Sequence, residues 1–141
     1  VGVKVIADGG IKNSGDIAKA IVAGADAVML GSLLAGTDSA PGERFFKGDV
    51  SYKSFRGMAS QEVYDEYFGQ AKSGIAAEGI STSIKCTGPT AKLIDGLTGG
   101  LRSAMSYSNA RTLAEFKKNA VWGVQTLSAY IEGTPHVNRG Q

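Results

Sequence analysis

Two short apolar runs in this chain each end in residues suited to holding an anion. Val5-Ile6-Ala7 runs into Asp8-Gly9-Gly10-Ile11, and Val28-Met29-Leu30 runs into Gly31-Ser32. An apolar run of this length reads as a buried strand, and glycines directly after it let backbone N–H groups approach a ligand closely. Taken singly, each glycine-rich end reads equally well as a plain turn. As a pair at the ends of consecutive strands, with an apolar helix between, Gly10, Gly31 and Ser32 favour a phosphate seat. Asp8, at the end of the first run, has two readings. It either caps a helix or pairs internally, or it accepts hydrogen bonds from ribose hydroxyls; its place before the glycines favours the second.

Other reactive side chains are sparse. Glu78 is the one carboxylate in a stretch of small residues, Ser73 to Ser81. Spacing alone makes it a solvated loop glutamate, while closure of the loop would desolvate it for proton transfer. Cys86 lies between Lys85 and Thr87 with no neighbouring base, so it reads as an inert thiol. His136 sits in a polar tail beside Pro135. With one cysteine and one histidine, no zinc ligand set exists and no metal is expected. Tyr64, Tyr67 and Phe68 read as core or interface rather than as a stacking box.

The elements that position these groups follow from periodicity. Ser14 to Gly24 predicts a helix capped by Ser14 or Asn13, with Ile17, Ile21 and Val22 on one face and Gly24 closing it. Strand, helix and strand then form a parallel unit with a right-handed crossover. A short apolar helix of Leu33, Leu34 and Ala35 follows, aiming its N-terminus at the same anion. Ala40 to Glu43 reads as a turn, Ser51 to Gly57 as a strand or extended loop, and Met58-Ala59-Ser60 as the opening of a helix reaching about Tyr67. From Gly69 to Gly88 periodicity fails, which suggests a mobile flap. Pro89 suits the first turn of a helix running through Leu93, Leu97 and Leu101 to about Tyr107. Thr112 and Glu115 fit a capping box. Val121 to Val124 reads as a final strand, and the tail from Glu132 as flexible.

The fold class is therefore α/β. Loops of this kind carry phosphate after the seventh and eighth strands of a (β/α)8 TIM barrel, but only two strand–helix units can be counted where eight are needed. The expectation is that residues 1–141 are the C-terminal part of one such domain, with the flap at about 69–88. A net charge of +2 gives no support to nucleic-acid or membrane binding by bulk electrostatics. No run is long enough for a membrane span, and a single cysteine suits a reducing, cytoplasmic setting.

Five stretches, taken together and in order, resemble the IMP dehydrogenase/GMP reductase family. They are Val5 to Ile11, Gly24 to Ser32, Phe55-Arg56-Gly57-Met58-Ala59-Ser60, Glu78-Gly79, and Gly99 to Tyr107. The resemblance implies a (β/α)8 barrel, usually a homotetramer, that binds a purine nucleoside monophosphate. It implies that Asp8 holds the ribose and that Gly10, Gly31 and Ser32 hold the phosphate. It further implies that Met58, Ala59 and Ser60 line the base and that Glu78 with Gly79 closes over it, Glu78 being tied to proton transfer. The family's catalytic cysteine lies on a loop before the first strand here, and Cys86 does not match it. The implied cofactor is NADPH in the reductase branch, or NAD with a monovalent cation such as potassium in the dehydrogenase branch.

The branch is read from the flap. Dehydrogenases carry an Arg-Tyr pair that activates water; here the stretch from Gly57 to Gly79 is short and Tyr67 is preceded by Glu66. That favours the reductase, in which hydride addition at purine C2 expels ammonia. Ile75 stands where many reductases have arginine, and Phe55 replaces a tyrosine often found near the phosphate. Two rivals stay open: a flavin-dependent barrel with similar phosphate loops, and a non-catalytic nucleotide-binding subunit.

Overall fold

The computed structural model describes residues 2–57, 60–69 and 81–133. The two apolar runs form β1 (Ile6–Asp8) and β2 (Ala27–Met29), paired in parallel with Ile6 opposite Ala27 and Asp8 opposite Met29. The crossover is α1 (Ser14–Val22). Of its two candidate caps Asn13 takes the role, its Oδ1 accepting from the Asp16 N–H at 3.1 Å. Gly24, at φ +119°, makes the left-handed turn out of the helix. Asp26 then stitches the turn to β1: its carboxylate accepts from the Val5 N–H at 3.0 Å, and its own N–H donates to the Val5 carbonyl at 2.8 Å.

The core lies on one side of this unit. Ile17, Ala18 and Ile21 of α1 pack with Leu97 of α4 (Thr90–Tyr107), Phe116 of α5 (Leu113–Asn119) and Ala110 between them. At Gly100 there is no room for a side chain, because a Cβ would run into Ser14 at the start of α1. The expected capping box of α5 is present, with Thr112 and Glu115 exchanging hydrogen bonds of 3.1 Å. Pro89 stands one position before α4 rather than inside its first turn.

A second sheet is antiparallel: β3 (Arg44–Lys47), β4 (Val50–Arg56) and β5 (Ser81–Lys85) in that order. The reading at 51–57 is thus a strand. β3 went unread, and β5 falls inside the stretch taken as flap, where the failed periodicity suggested no strand. Both segments are short and lack a strong apolar alternation; they are strands because β4 supplies ladder partners on both its edges. Residues 70–80, which hold Ile75, Glu78 and Gly79, lie outside the described residues, as do Met58 and Ala59.

Two further helices frame the cleft described below, α2 (Ser32–Ala35), a single turn, and α3 (Gln61–Phe68). Val121 to Val124 is not a strand. The segment has no regular secondary structure and no ladder partner among the described residues, and Val121 is 93% exposed. The chain instead forms α6 (Leu127–Glu132), capped by Thr126, where the sequence suggested the approach to a flexible tail; His136 lies outside the described residues. Among the described residues no barrel closes and no helix is long and apolar enough to cross a membrane.

Candidate functional site

The parallel pairing of β1 with β2 brings the two glycine-rich ends side by side. The paired residues end with Asp8 opposite Met29, so the two glycine-rich turns leave from the same end of the sheet. Gly9 and Gly10 have φ of +91° and +76°, a conformation that side chains rarely adopt, and open space surrounds both. Two successive residues of this kind take the chain out of the strand in a conformation that glycine adopts without steric cost. Gly31 opens α2, accepting from the N–H groups of Leu34 and Ala35 at 3.0 and 3.2 Å. With one turn only, α2 offers little dipole, so the donors that count are the loop amides and the exposed Ser32 hydroxyl.

Asp8 ends β1 with its side chain exposed at the same edge. The helix-cap alternative does not hold for it, because Asn13 caps α1. The loop between them is held by Asp16, whose Oδ2 accepts from the Lys12 N–H at 3.0 Å. That hydrogen bond, aided by Lys19 at 3.2 Å, keeps the Asp16 carboxyl below the ordinary aspartate range.

Beyond Gly31 opens a cleft of about 580 Å³ between α2, the turn after it, the end of β4, and α3. Its walls are largely apolar, with Leu34, Pro41, Phe55, Val63 and Tyr67 among them. Arg56 is its one charged lining residue among the described residues, and its guanidinium is ion-paired with Glu66 of α3. The hydroxyls of Thr90, which lines the cleft, and of Ser60 are enclosed without a hydrogen-bond partner among the described residues. Ser60 is 0% exposed, at the start of α3.

Cys86 is separate from this end. Its Sγ lies 3.0 Å from the Ser51 Oγ, at the opposite end of the β4–β5 ladder from Arg56. Five residues of strand put it about 17 Å away along β4. No group of three metal-ligating side chains occurs among the described residues.

Sequence reasoning overlooked three contributors: Thr37 and Arg56, which line the cleft, and Lys53, buried under its wall. For Lys53 there was a faint signal, since it alternates with Tyr52 and Ser54 along a strand and so must face inward if they face out.

Comparison with known proteins gives a consistent picture. Residues 1–136 match a family described as the IMP dehydrogenase / GMP reductase domain. The chain is 45% identical to an inosine-5'-monophosphate dehydrogenase of Methanocaldococcus jannaschii, covering 95% of this chain and 30% of that protein. The inosine-5'-monophosphate dehydrogenase of Mycobacterium tuberculosis is 43% identical, over 96% of this chain and 28% of its own length. Among solved structures, a GMP reductase from Trypanosoma brucei in complex with guanosine 5'-monophosphate superposes with a TM-score of 0.85 at 41% identity, covering 96% of this chain and 28% of that one. The chain thus spans less than a third of the length of these relatives.

Proposed function

The chain belongs to the IMP dehydrogenase / GMP reductase family, and on that premise we propose that it is the phosphate-binding part of a GMP reductase. In this reading residues 1–141 are the C-terminal part of one (β/α)8 catalytic domain. The reaction is reductive deamination of GMP at C2, giving IMP and ammonia at the expense of NADPH. The enzyme acts as a cytoplasmic homotetramer.

The observation that supports the nucleotide reading is the parallel pair β1–β2, whose ends lie side by side with Gly9-Gly10 following one strand and Gly31-Ser32 the other. Their amides and the Ser32 hydroxyl hold the phosphate, and Asp8, free of any capping duty, holds the ribose. Met58, Ala59 and Ser60 line the base. Glu78, carried on the flap with Gly79, passes a proton to the departing ammonia. Fixing phosphate and ribose leaves C2 at one place relative to Glu78, which is the rate contribution these residues make. In this reading the nucleophilic cysteine is not Cys86, which lies at the end of the β4–β5 ladder away from Arg56.

The nicotinamide cofactor supplies the hydride when bound. The described residues do not make a seat for it: the cleft's one cation, Arg56, is already committed to Glu66. That same pair supports the reductase branch, because the residue before Tyr67 is a carboxylate tied to Arg56 rather than an arginine available to activate water.

IMP dehydrogenase is the second reading, favoured by the 45% identity to an archaeal enzyme of that name. A paired assay on the natural protein that carries this chain decides between them, following nicotinamide absorbance with GMP plus NADPH and with IMP plus NAD. The expected result is oxidation of NADPH with GMP alone, reduced by about 100-fold or more in Glu78→Gln, the usual scale for a general acid–base group. Reduction of NAD with IMP overturns the reductase. Binding of either nucleotide without turnover points to a non-catalytic subunit.

A further inference from the structure

Lysine in a strand ordinarily keeps its ammonium in water while its stem covers apolar surface. Lys53, in the middle of β4, does not: it is 4% exposed. Its Nζ donates to the carbonyls of Thr37 at 2.7 Å and Ala40 at 2.5 Å, with that of Asp38 at 3.4 Å. All three acceptors belong to one turn, residues 37–40. The nearby carboxylate of Asp38 is turned away to Arg44, 3.1 Å distant. A buried ammonium is costly unless its charge is met, and here main-chain dipoles meet it, as they do around a bound metal cation.

The turn so gathered forms part of the cleft wall. It follows directly from α2, with the Thr37 N–H and hydroxyl both donating to the Leu34 carbonyl at 3.0 and 2.7 Å. On its other side the Thr87 N–H donates to Gly36 at 2.8 Å and the Asp38 N–H to Gly88 at 2.9 Å. A Cβ on Gly36 would collide with the Lys85 carbonyl, so the turn lies flush against the end of β5. Take away the positive charge and the carbonyls of Thr37 and Ala40 converge on an empty point and repel. The turn then opens, and α2 with Gly31 at its head moves with it.

We propose that Lys53 is a positioning residue: its ammonium is the resident cation of a carbonyl nest that fixes the turn 37–40, and through it Gly31 and Ser32. The effect on substrate rests on the nucleotide reading above; the nest itself does not. The test compares Lys53→Met, Lys53→Arg and Lys53→Ala in the natural protein that carries this chain.

In Lys53→Met the amides of Asp38 and Ala40 should exchange with deuterium about tenfold faster or more, the loss expected for hydrogen bonds to a charged group. KM for the nucleotide should rise by about tenfold with kcat changed much less, because binding geometry and not chemistry is disturbed. Lys53→Arg, which keeps the charge, should lie between. In Lys53→Ala, methylammonium chloride at tens of millimolar should restore both amide protection and KM, and sodium chloride at equal strength should not. A Lys53→Ala protein recovered folded only with methylammonium present also supports the nest.

Unchanged exchange at 38 and 40, or rescue by sodium chloride as strong as by the amine, overturns the nest. Faster exchange with an unchanged KM overturns its link to Gly31. Failure of the unaltered protein to bind GMP or IMP counts against the nucleotide reading alone, because exchange and rescue judge Lys53 without any ligand.

Discussion

Gly10 has a φ of +76° with open space where a side chain would point, so its requirement for glycine is conformational and not steric. Gly10→Ala should therefore cost about 1 kcal/mol of stability from left-handed backbone strain. If the Gly10 amide meets the phosphate, the same substitution should raise KM for the nucleotide by more than that strain explains, since relaxing the strain rotates the amide. Thermal denaturation and KM measured on one preparation separate the two effects. Lys53 shows the opposite case at this scale. No motif marks it, and its meaning comes from three carbonyls contributed by residues 13 to 16 positions away.

At the scale of elements, the contact of α4 with α1 has a sharp consequence. Alanine is a better helix former than glycine by about 1 kcal/mol, so propensity alone predicts that Gly100→Ala stabilises α4. The Cβ would meet the side chain of Ser14 at its Cβ and Oγ, which a rotamer change cannot relieve. Overpacking of about 1–3 kcal/mol wins, and Gly100→Ala should destabilise. Ser14→Gly in the same chain should recover most of the loss; a double-mutant cycle in urea measures the coupling.

The cap of α1 predicts an acid response. The Asp16 carboxyl is lowered first by the Lys12 N–H and then by Lys19, and the Asp26 carboxyl first by the Val5 N–H, both from an ordinary 3.8. A carboxylate with a depressed folded pKa stabilises above its unfolded value, and that contribution is lost as pH falls through the folded one. The stability difference between the parent chain and Asp16→Asn should thus be full well above the ordinary 3.8 and shrink as pH falls below it, read from denaturant midpoints.

For the whole molecule, the core gathers around α1, α4 and α5, and the parallel sheet is left thinly covered. Ile6 of β1, Val5 just before it and Met29 of β2 are about half exposed or more, as are Leu127, Tyr130 and Ile131 of α6. Parallel sheets are found with both faces covered, and a chain spanning less than a third of its relatives does not cover this one. Expressed alone, the 141-residue chain should bind an apolar fluorescent dye strongly and self-associate. Set within its natural protein, the same segment should do neither; equal dye binding in both settings would mean the exposed strands are not barrel staves.

By itself the sequence determined what short-range rules govern. The apolar runs of β1 and β2, the capped helix between them, the Thr112–Glu115 box and the family motifs are all written in neighbours within a few residues, and each was legible. Strands β3 and β5 were not, because polar, weakly alternating segments become strands only when β4 lies between them. The supposed strand at Val121 failed for the same reason: its apolar residues find no ladder partner among the described residues and stay exposed. For the site, sequence named Asp8, Gly10, Gly31 and Ser32, while the tertiary structure alone set the end of β1 beside the end of β2, paired Arg56 with Glu66 and buried Lys53 under the cleft wall. Those decisions depend on residues far apart in the chain, whose meeting no local pattern encodes.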